Sequence, residues 1–303
     1  MEVGAALERL DDRALAELVA GADDLGTGIG GSVGRLDVVG VPVFVKRLPL
    51  ADAEREPTTA NVFGIPAACH YGVGGPGFGA WRELEAHRMT TGRSGAFPLL
   101  YHARVLPGAP APNAELADVE RMVAFWDGSA AVRDRLHALA SARSSLVLFL
   151  EYVPHGLRPW LDEQRSEALV EAVAMVERCL LTAVPAMKAL GLLHFDAHFG
   201  NLRTDGHRVV FTDFGLAASP AFELSPDERE LVAANGGHDL AHVLTELVNW
   251  LVRHVVGTSD TVSRNEFVRR CAEGIAPVGI PTPIAATIMR YAQVAAVMND
   301  FYW

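Results

Sequence analysis

His194-Phe195-Asp196-Ala197-His198-Phe199-Gly200-Asn201, followed by Asp213-Phe214-Gly215 seventeen residues after Asp196, decides how this 303-residue chain is read. An aspartate at the head of such a loop can accept or orient a hydroxyl proton. The asparagine five residues on, and the second aspartate across a short hairpin turning at Thr204-Asp205-Gly206, supply the hard oxygen ligands that Mg²⁺ prefers. The combination H-x-D-x-x-x-x-N then D-F-G at this spacing is far more specific than any of its parts.

Toward the N-terminus, Gly26-Thr27-Gly28-Ile29-Gly30-Gly31-Ser32-Val33 reads G-x-G-x-x-G-x-V. Glycines there let backbone amides approach a polyphosphate with no Cβ in the way. Alone, the string also fits a flexible turn. The dinucleotide-binding version requires a helix directly after the glycines, and a strand pattern follows instead. A Walker P-loop is excluded because no Gly-Lys-Ser/Thr follows. Fifteen residues past Gly31, Val43-Phe44-Val45-Lys46 sets a lysine on a strand beside the glycines. It either neutralises nucleotide phosphates or is an ordinary exposed strand lysine.

These pieces, in this order, resemble the protein kinase-like superfamily. The resemblance covers most of the chain, from Gly26 to about the helix following Asp239. It implies an α+β, two-lobed protein kinase-like fold with ATP between the lobes. Residues 1–153 would form a small β-rich N-lobe with Gly-rich loop, strand lysine and hinge. Residues 154–303 would form a mainly helical C-lobe with the catalytic loop and metal-binding D-F-G. By the same likeness, Gly26, Gly28, Gly31 and Val33 belong to the phosphate flap, and Lys46 contacts the α- and β-phosphates. Asp196 is the catalytic aspartate, and Asn201 and Asp213 hold Mg²⁺. Lys46 needs a glutamate partner, for which Trp81-Arg82-Glu83-Leu84-Glu85 offers Glu83, the preferred one, or Glu85. Leu150-Glu151-Tyr152-Val153 resembles the hinge, with the backbone of Glu151 and Val153 hydrogen-bonding adenine. Asp239 resembles the aspartate that anchors the catalytic loop.

Four departures qualify the likeness. Phe195 stands where regulated protein kinases have arginine, so control by a phosphorylated activation loop is not expected. His198 stands two past the aspartate, where serine/threonine kinases carry lysine; this resembles aminoglycoside phosphotransferases, and a protonated His198 would reach the γ-phosphate. Asp239 follows Asp213 by only 26 positions, with no Ala-Pro-Glu between them, so the usual peptide platform is short or absent. Phe44 replaces the small residue that lies over adenine and would narrow the nucleotide pocket.

Composition bounds the rest. Half the residues are hydrophobic and 21% are charged, which excludes extended disorder. With 26 Lys+Arg against 37 Asp+Glu, the net charge of -11 disfavours nucleic-acid binding. Cys69, Cys179 and Cys271 form no C-x-x-C pair, arguing against a disulfide scaffold or structural zinc. Acidic residues from Glu2 to Glu17 break any signal-peptide pattern, and the apolar stretch Cys179–Phe195, with Pro185 and Lys188, is too short to span a bilayer. The expectation is a cytoplasmic protein without membrane or nucleic-acid partners.

Periodicity predicts an amphipathic helix over 5–20 and a β-hairpin over 36–48 turning at Gly40. Residues 51–80 read as a long insert, either functional or simply solvent-exposed. A helix is expected over 80–90, strands within 97–108 and 145–153, and a helical stretch near 114–140. A long helix runs from Glu167 toward Leu190 with Gly191 as its cap, strands lie around Leu202 and 208–212, and helices fill 238–303. His70, His87 and His155 show no metal-ligand spacing. The tail Phe301-Tyr302-Trp303 is expected to pack against the helical part.

The first functional expectation is an ATP-dependent kinase acting on Ser/Thr hydroxyls of a protein or peptide. The alternative is a small-molecule phosphotransferase of aminoglycoside or nucleoside-antibiotic type, favoured by His198, Gly200 and the short segment after Gly215. The third is a pseudokinase scaffold, supported by Phe44 and opposed by retention of Lys46, Asp196, Asn201 and Asp213 together.

Overall fold

A computed structural model describes residues 2–28, 30–71, 76–110 and 118–302. The strands, in chain order, are β1 (Asp23–Gly28), β2 (Gly31–Val38), β3 (Val41–Leu50), β4 (Leu100–Pro107), β5 (Ser144–Glu151), β6 (His155–Gly156), β7 (Leu202–Thr204) and β8 (Val209–Phe211). The helices are α1 (Glu2–Glu8), α2 (Asp12–Ala20), α3 (Ala80–Thr90), α4 (Val119–Phe125), α5 (Ala130–Ala140), α6 (Leu157–Glu163), α7 (Ser166–Ala189), α8 (Pro226–Ala234), α9 (His238–Leu251), α10 (Thr261–Ala272) and α11 (Thr282–Tyr302). The protein is α+β. Two compact units divide the chain: the first holds 1–153, 190–196 and 213–234, the second 154–189, 197–212 and 235–303.

In the first unit, β1-β2-β3-β5-β4 form one antiparallel sheet. The alternation along β3 decides what each face does. Val43 and Val45 point to one face and pack with Val147, Phe149 and Leu106 under α1 and α2, whose Leu7 and Leu15 are fully buried. Phe44, Leu48 and Leu50 point to the other, against Ala80 and Leu84 of α3. Lys46 shares that second face. The turn joining β2 to β3 places Val39 and Gly40 at φ 50° and 79°, the two positive values a two-residue hairpin of this hand requires.

The expected helix over 5–20 is two helices. Asp11 breaks it: its side chain caps α2 by accepting from the Ala14 N–H at 2.8 Å. The stretch near 114–140 is likewise split into α4 and α5, at Asp127 and Gly128 with positive φ; its first residues lie outside the described part. The helices α6 and α8 and the strand β1 arise where no period announced them. The insert carries short 3₁₀ turns at Asp52–Glu54 and Ala67–Tyr71. It is not simply solvent-exposed, because Glu54, Ile65, Cys69 and His70 are buried.

The tip of the glycine hairpin shows which glycine is obligatory. Gly28 pairs with Gly31, and Ile29 lies outside the described residues. Gly31 sits at φ +132°, and a Cβ there would lie 2.0 Å from the Arg47 carbonyl oxygen. Gly31→Ala is therefore expected to lower the stability of this unit by about 2–3 kcal/mol, read as the urea midpoint. An unchanged midpoint would contradict the hairpin register.

In the second unit, the three-stranded sheet β6-β7-β8 accompanies α6, α7 and α9 to α11. Val243, Leu247 and Val248 of α9 and Ile288, Ala292 and Ala295 of α11 are fully buried. The Asn249 and Asn299 amides bond reciprocally at 2.8 and 3.0 Å. A five-residue π-turn, Val252–Val256, continues α9 and ends at Gly257 in the left-handed region. Tyr302 takes up the expected packing of the tail: its hydroxyl lies 2.8 Å from His238 Nε2, while Phe301 is exposed and Trp303 lies outside the described residues. Among the described residues no helix is long and apolar enough to cross a membrane.

Candidate active site

Lys46 is the centre of a buried charge cluster in the first unit. Its Nζ donates to Glu83 Oε1 at 2.7 Å and to Asp213 Oδ1 at 2.8 Å. Strand alternation aims Lys46 at α3, and Glu83, in the first turn of α3, aims back. Glu85 is instead half-exposed and pairs with Arg88. Val33 is the direct cross-strand neighbour of Lys46. Sequence reasoning counted Gly26, Gly28 and Gly31 and missed Gly30, yet a Cβ on Gly30 would lie 3.1 Å from Lys46 Nζ. Gly215 was also missed as a contributor: its N–H donates to Asp213 Oδ1 at 3.3 Å, and a Cβ there would crowd that carboxylate.

The carboxylates carry different tasks. Burial opposes the Lys46 charge, but Asp213 and Glu83 outweigh it and hold its pKa above the ordinary value. Burial also opposes Asp213, yet Lys46 and the Gly215 N–H hold its carboxyl below the usual range. The Asp213 side chain is 42% exposed, and the bonds to Lys46 and Gly215 both fall on Oδ1. An ionised, half-exposed carboxylate with its second oxygen outside those bonds has the chemistry of a hard-cation ligand. Among the described residues no cluster of three or more His, Cys, Asp or Glu side chains could cage a metal.

Asp196 lies in the same unit, half-buried, with its N–H donating to His194 Nδ1 at 3.3 Å. Paired bonds between Leu193 and Ala218, both 2.9 Å, tie its segment to the one following Asp213-Phe214-Gly215. Phe195 and Asp213 both hold φ 61°, a left-handed conformation that costs a non-glycine residue about 1 kcal/mol or more and clusters at functional sites. Phe195 is buried against His70 and Tyr71 of the insert, 5.2 and 5.7 Å between ring centres. Phe195 is thus a packing knob against the insert. Phe214 is fully buried, with the rings of His87 and His194 at 4.9 and 5.0 Å.

Glu151 ends the inner strand β5, and Val153 follows it. The Glu151 N–H donates to Leu99 O at 2.8 Å and Val153 is buried. Phe44 is half-buried on the Lys46 face, in the cluster that includes Leu148 and Leu150.

His198 and Asn201 belong to the second unit. His198 Nδ1 accepts the Gly200 N–H at 3.0 Å, capping the turn Phe199–Asn201. A Cβ on Gly200 would lie 2.6 Å from the His198 ring, so the glycine is there for the histidine. Asn201 O accepts both the Thr212 N–H (3.0 Å) and hydroxyl (2.8 Å), pinning Asn201 to the residue preceding Asp213. Asp239 is buried in the first turn of α9, beside His238 Nδ1 at 3.4 Å.

Two buried ion-pair hubs, neither visible in the sequence, secure α3 and the insert. Arg82, next to Glu83, donates to Thr59 O at 2.6 Å and to both oxygens of Glu228, at 2.5 and 3.3 Å. Glu228 also meets His70 Nε2 at 3.3 Å and the Ser225 N–H at 2.9 Å. The second hub pairs Arg135 with Glu54 at 2.8 Å, and Arg135 Nε also bonds Gly77 O.

These groups set an acid limit on stability. Burial holds His87 neutral, with its pKa lowered to about 3. Its stabilising contribution is complete above 6.5 and fades as pH falls toward 3. Burial opposes the Glu228 charge, but His70, Arg82 and the Ser225 N–H lower its pKa to about 2, so its contribution is present above 4.5 and fades below. Glu83 has the opposite sign: burial pushes it up to about 7, so its ionisation costs stability as pH rises from 4.5 through 7. Between 4.5 and 6.5 His87 and Glu83 oppose one another. Below 4.5 His87 and Glu228 act together, so urea midpoints are expected to fall steeply from pH 4.5 toward 3 and to change little from 6.5 to 4.5.

No family model matches this chain, and no curated protein matches it.

Proposed function

We propose that this protein is an ATP-dependent phosphotransferase of the two-lobed, protein kinase-like type, passing the γ-phosphate to an alcohol. The observation that supports the reading is Lys46 held at 2.7 Å from Glu83 and 2.8 Å from Asp213. A lysine fully inside the unit between two carboxylates is a costly arrangement, and stability alone is poorly served by it. In this reading Lys46 steadies the α- and β-phosphates, and Glu83 keeps Lys46 aimed. The glycine hairpin, with Gly30 against the Lys46 ammonium, covers the phosphates. Asp196 orients the acceptor hydroxyl and takes its proton. Asp213, with Asn201, is proposed to hold Mg²⁺, which when bound neutralises charge on the phosphate oxygens. His198 Nδ1 accepts the Gly200 N–H and shapes the loop, and in this reading the ring also faces the γ-phosphate.

For the acceptor, the leading reading remains a Ser/Thr hydroxyl on a protein or peptide, with a small-molecule alcohol as alternative. His198 in place of lysine and the packed Phe195 in place of arginine depart from regulated protein kinases and support the alternative. Incubation with γ-labelled ATP and Mg²⁺, offering a peptide library and an aminoglycoside panel in parallel, separates them. Label on peptides supports the first, label on small molecules the second. Absence of both transfer and nucleotide binding would leave only a scaffold.

A further inference from the structure

His70, in the 3₁₀ turn Ala67–Tyr71 of the insert, is 0% exposed, and both of its ring nitrogens are used. Nδ1 lies 2.8 Å from the Leu216 carbonyl oxygen, and Nε2 lies 3.3 Å from Glu228 Oε1. A carbonyl oxygen can only accept, so Nδ1 carries a proton and donates it. The ring stacks on Phe78, 3.8 Å between ring centres and 9° from parallel, with Phe195 at 5.2 Å. An apolar ring would fill the same space, and a polar one buried this deep is costly unless its nitrogens find partners. What the imidazole adds is a hydrogen bond to the backbone three residues after Asp213.

That backbone needs holding. Asp213 sits at φ 61°, a conformation that persists in a non-glycine residue only where its surroundings over-determine it. The local ties are modest. The Gly215 N–H reaches Asp213 Oδ1 at 3.3 Å, long against the usual range of roughly 2.7–3.2 Å, and the Ala217 N–H reaches Phe214 O at 3.0 Å. Ala218 is then fixed to Leu193 by two bonds of 2.9 Å. Leu216 lies between these ties, and its carbonyl is turned to the insert. The far side of the imidazole rests on Glu228, which Arg82 also holds, so the bond to Leu216 starts from a fixed base.

We infer that His70 is a positioning residue for Asp213: its Nδ1–H, donated to the Leu216 carbonyl, holds the turn that sets the Asp213 carboxylate against Lys46. The insert then acts on the charge cluster through one backbone hydrogen bond, 146 residues away in sequence. This deepens the transfer reading, on which only its catalytic consequence rests; the placing of Asp213 against Lys46 does not depend on what the site transfers.

Two substitutions in the full chain separate the ring's two bonds. His70→Asn places an amide N–H where Nδ1 stands and gives up Glu228; His70→Gln places one where Nε2 stands and gives up Leu216. Both lose the stacked ring, so their urea midpoints are expected to fall alike. Amide hydrogen exchange over residues 214–218, read by mass spectrometry, is expected to be about tenfold faster in His70→Gln than in His70→Asn. Acetylation reads the lysine itself, since a carboxylate partner keeps an amine protonated and unreactive. The chain has two lysines, and the exposed Lys188 serves as internal reference. Lys46 is expected to acetylate about fivefold faster in His70→Gln than in His70→Asn. Equal exchange, or equal acetylation, in the two variants would overturn the role, because a residue that only fills space cannot tell them apart. Should neither variant fold, ¹⁵N-histidine NMR of the unsubstituted protein decides: a protonated Nδ1 with a slowly exchanging proton is expected, and an unprotonated Nδ1 would overturn the bond. In the transfer reading His70→Gln also slows phosphoryl transfer about 10²-fold and His70→Asn about threefold. No transfer by the unsubstituted protein, with exchange and acetylation as expected, would remove that reading and leave the positioning of Asp213.

Discussion

Asp196→Ala is expected to lower the rate of phosphoryl transfer about 10³-fold while nucleotide affinity stays within twofold. Phosphoryl transfer asks little covalent chemistry of a protein; it asks for an alcohol held in line and for neutralised charge. A positioned carboxylate that orients the hydroxyl and accepts its proton contributes about 10²–10⁴-fold. Asp196 is half-buried, at the end of a segment fixed by the Leu193–Ala218 bonds and by the buried Phe195 ring at φ 61°. The substitution removes the carboxylate while the Leu193–Ala218 bonds, the Phe195 packing and the backbone bond to His194 remain. Single-turnover transfer measured beside nucleotide titration reads the two quantities separately. Equal loss of both would mean that Asp196 serves the nucleotide site rather than the acceptor, and unchanged turnover would remove it from the reaction.

The parts of the molecule that were legible in the sequence are those written in a local period. The need for a glutamate opposite Lys46, and the preference for Glu83 over Glu85, came from the resemblance; strand alternation and the helix then show why it is Glu83, since Lys46 faces α3 and Glu85 turns outward to Arg88. Val39-Gly40 announced its own turn. What was not legible has no period. The Arg82–Glu228 pair joins residues 146 apart, and nothing near either one hints at the other. Two charged residues in sequence look like surface, which is why the insert could be read as a solvated excursion. Gly30 was passed over because the motif counts glycines at fixed places, whereas only the hairpin register shows which backbone atom meets Lys46. The break at Asp11 was hidden by leucines that keep a helical rhythm through it.

Glu228→Gln and Arg82→Met should each destabilise the first unit by about 3–5 kcal/mol, as expected when one member of a buried ion pair is left without the other. The pair is nearly inaccessible: Glu228 and Arg82 are 0% exposed, so water cannot replace the missing partner. Arg82→Met strands a carboxylate that keeps only His70 and the Ser225 N–H; Glu228→Gln strands a guanidinium that keeps Thr59 O. The double variant Arg82→Met/Glu228→Leu replaces both charges with apolar volume and is expected to recover most of the loss, since a buried pair often does no better than a packed apolar pair. Urea denaturation of the unsubstituted protein, Arg82→Met, Glu228→Leu and the double variant closes the cycle, with an expected coupling of about 2 kcal/mol or more. Single-variant losses under about 1 kcal/mol would show that the hub is wet or loosely held. Function sharpens the result. Arg82 immediately precedes Glu83 on α3, so a loosened hub changes where Glu83 points. The double variant can regain stability and still lose the Lys46–Glu83 bond. Restored midpoints with transfer still depressed would then show that the insert and α8 hold α3 for the lysine, and that the cost of burying these charges is met for alignment rather than for stability.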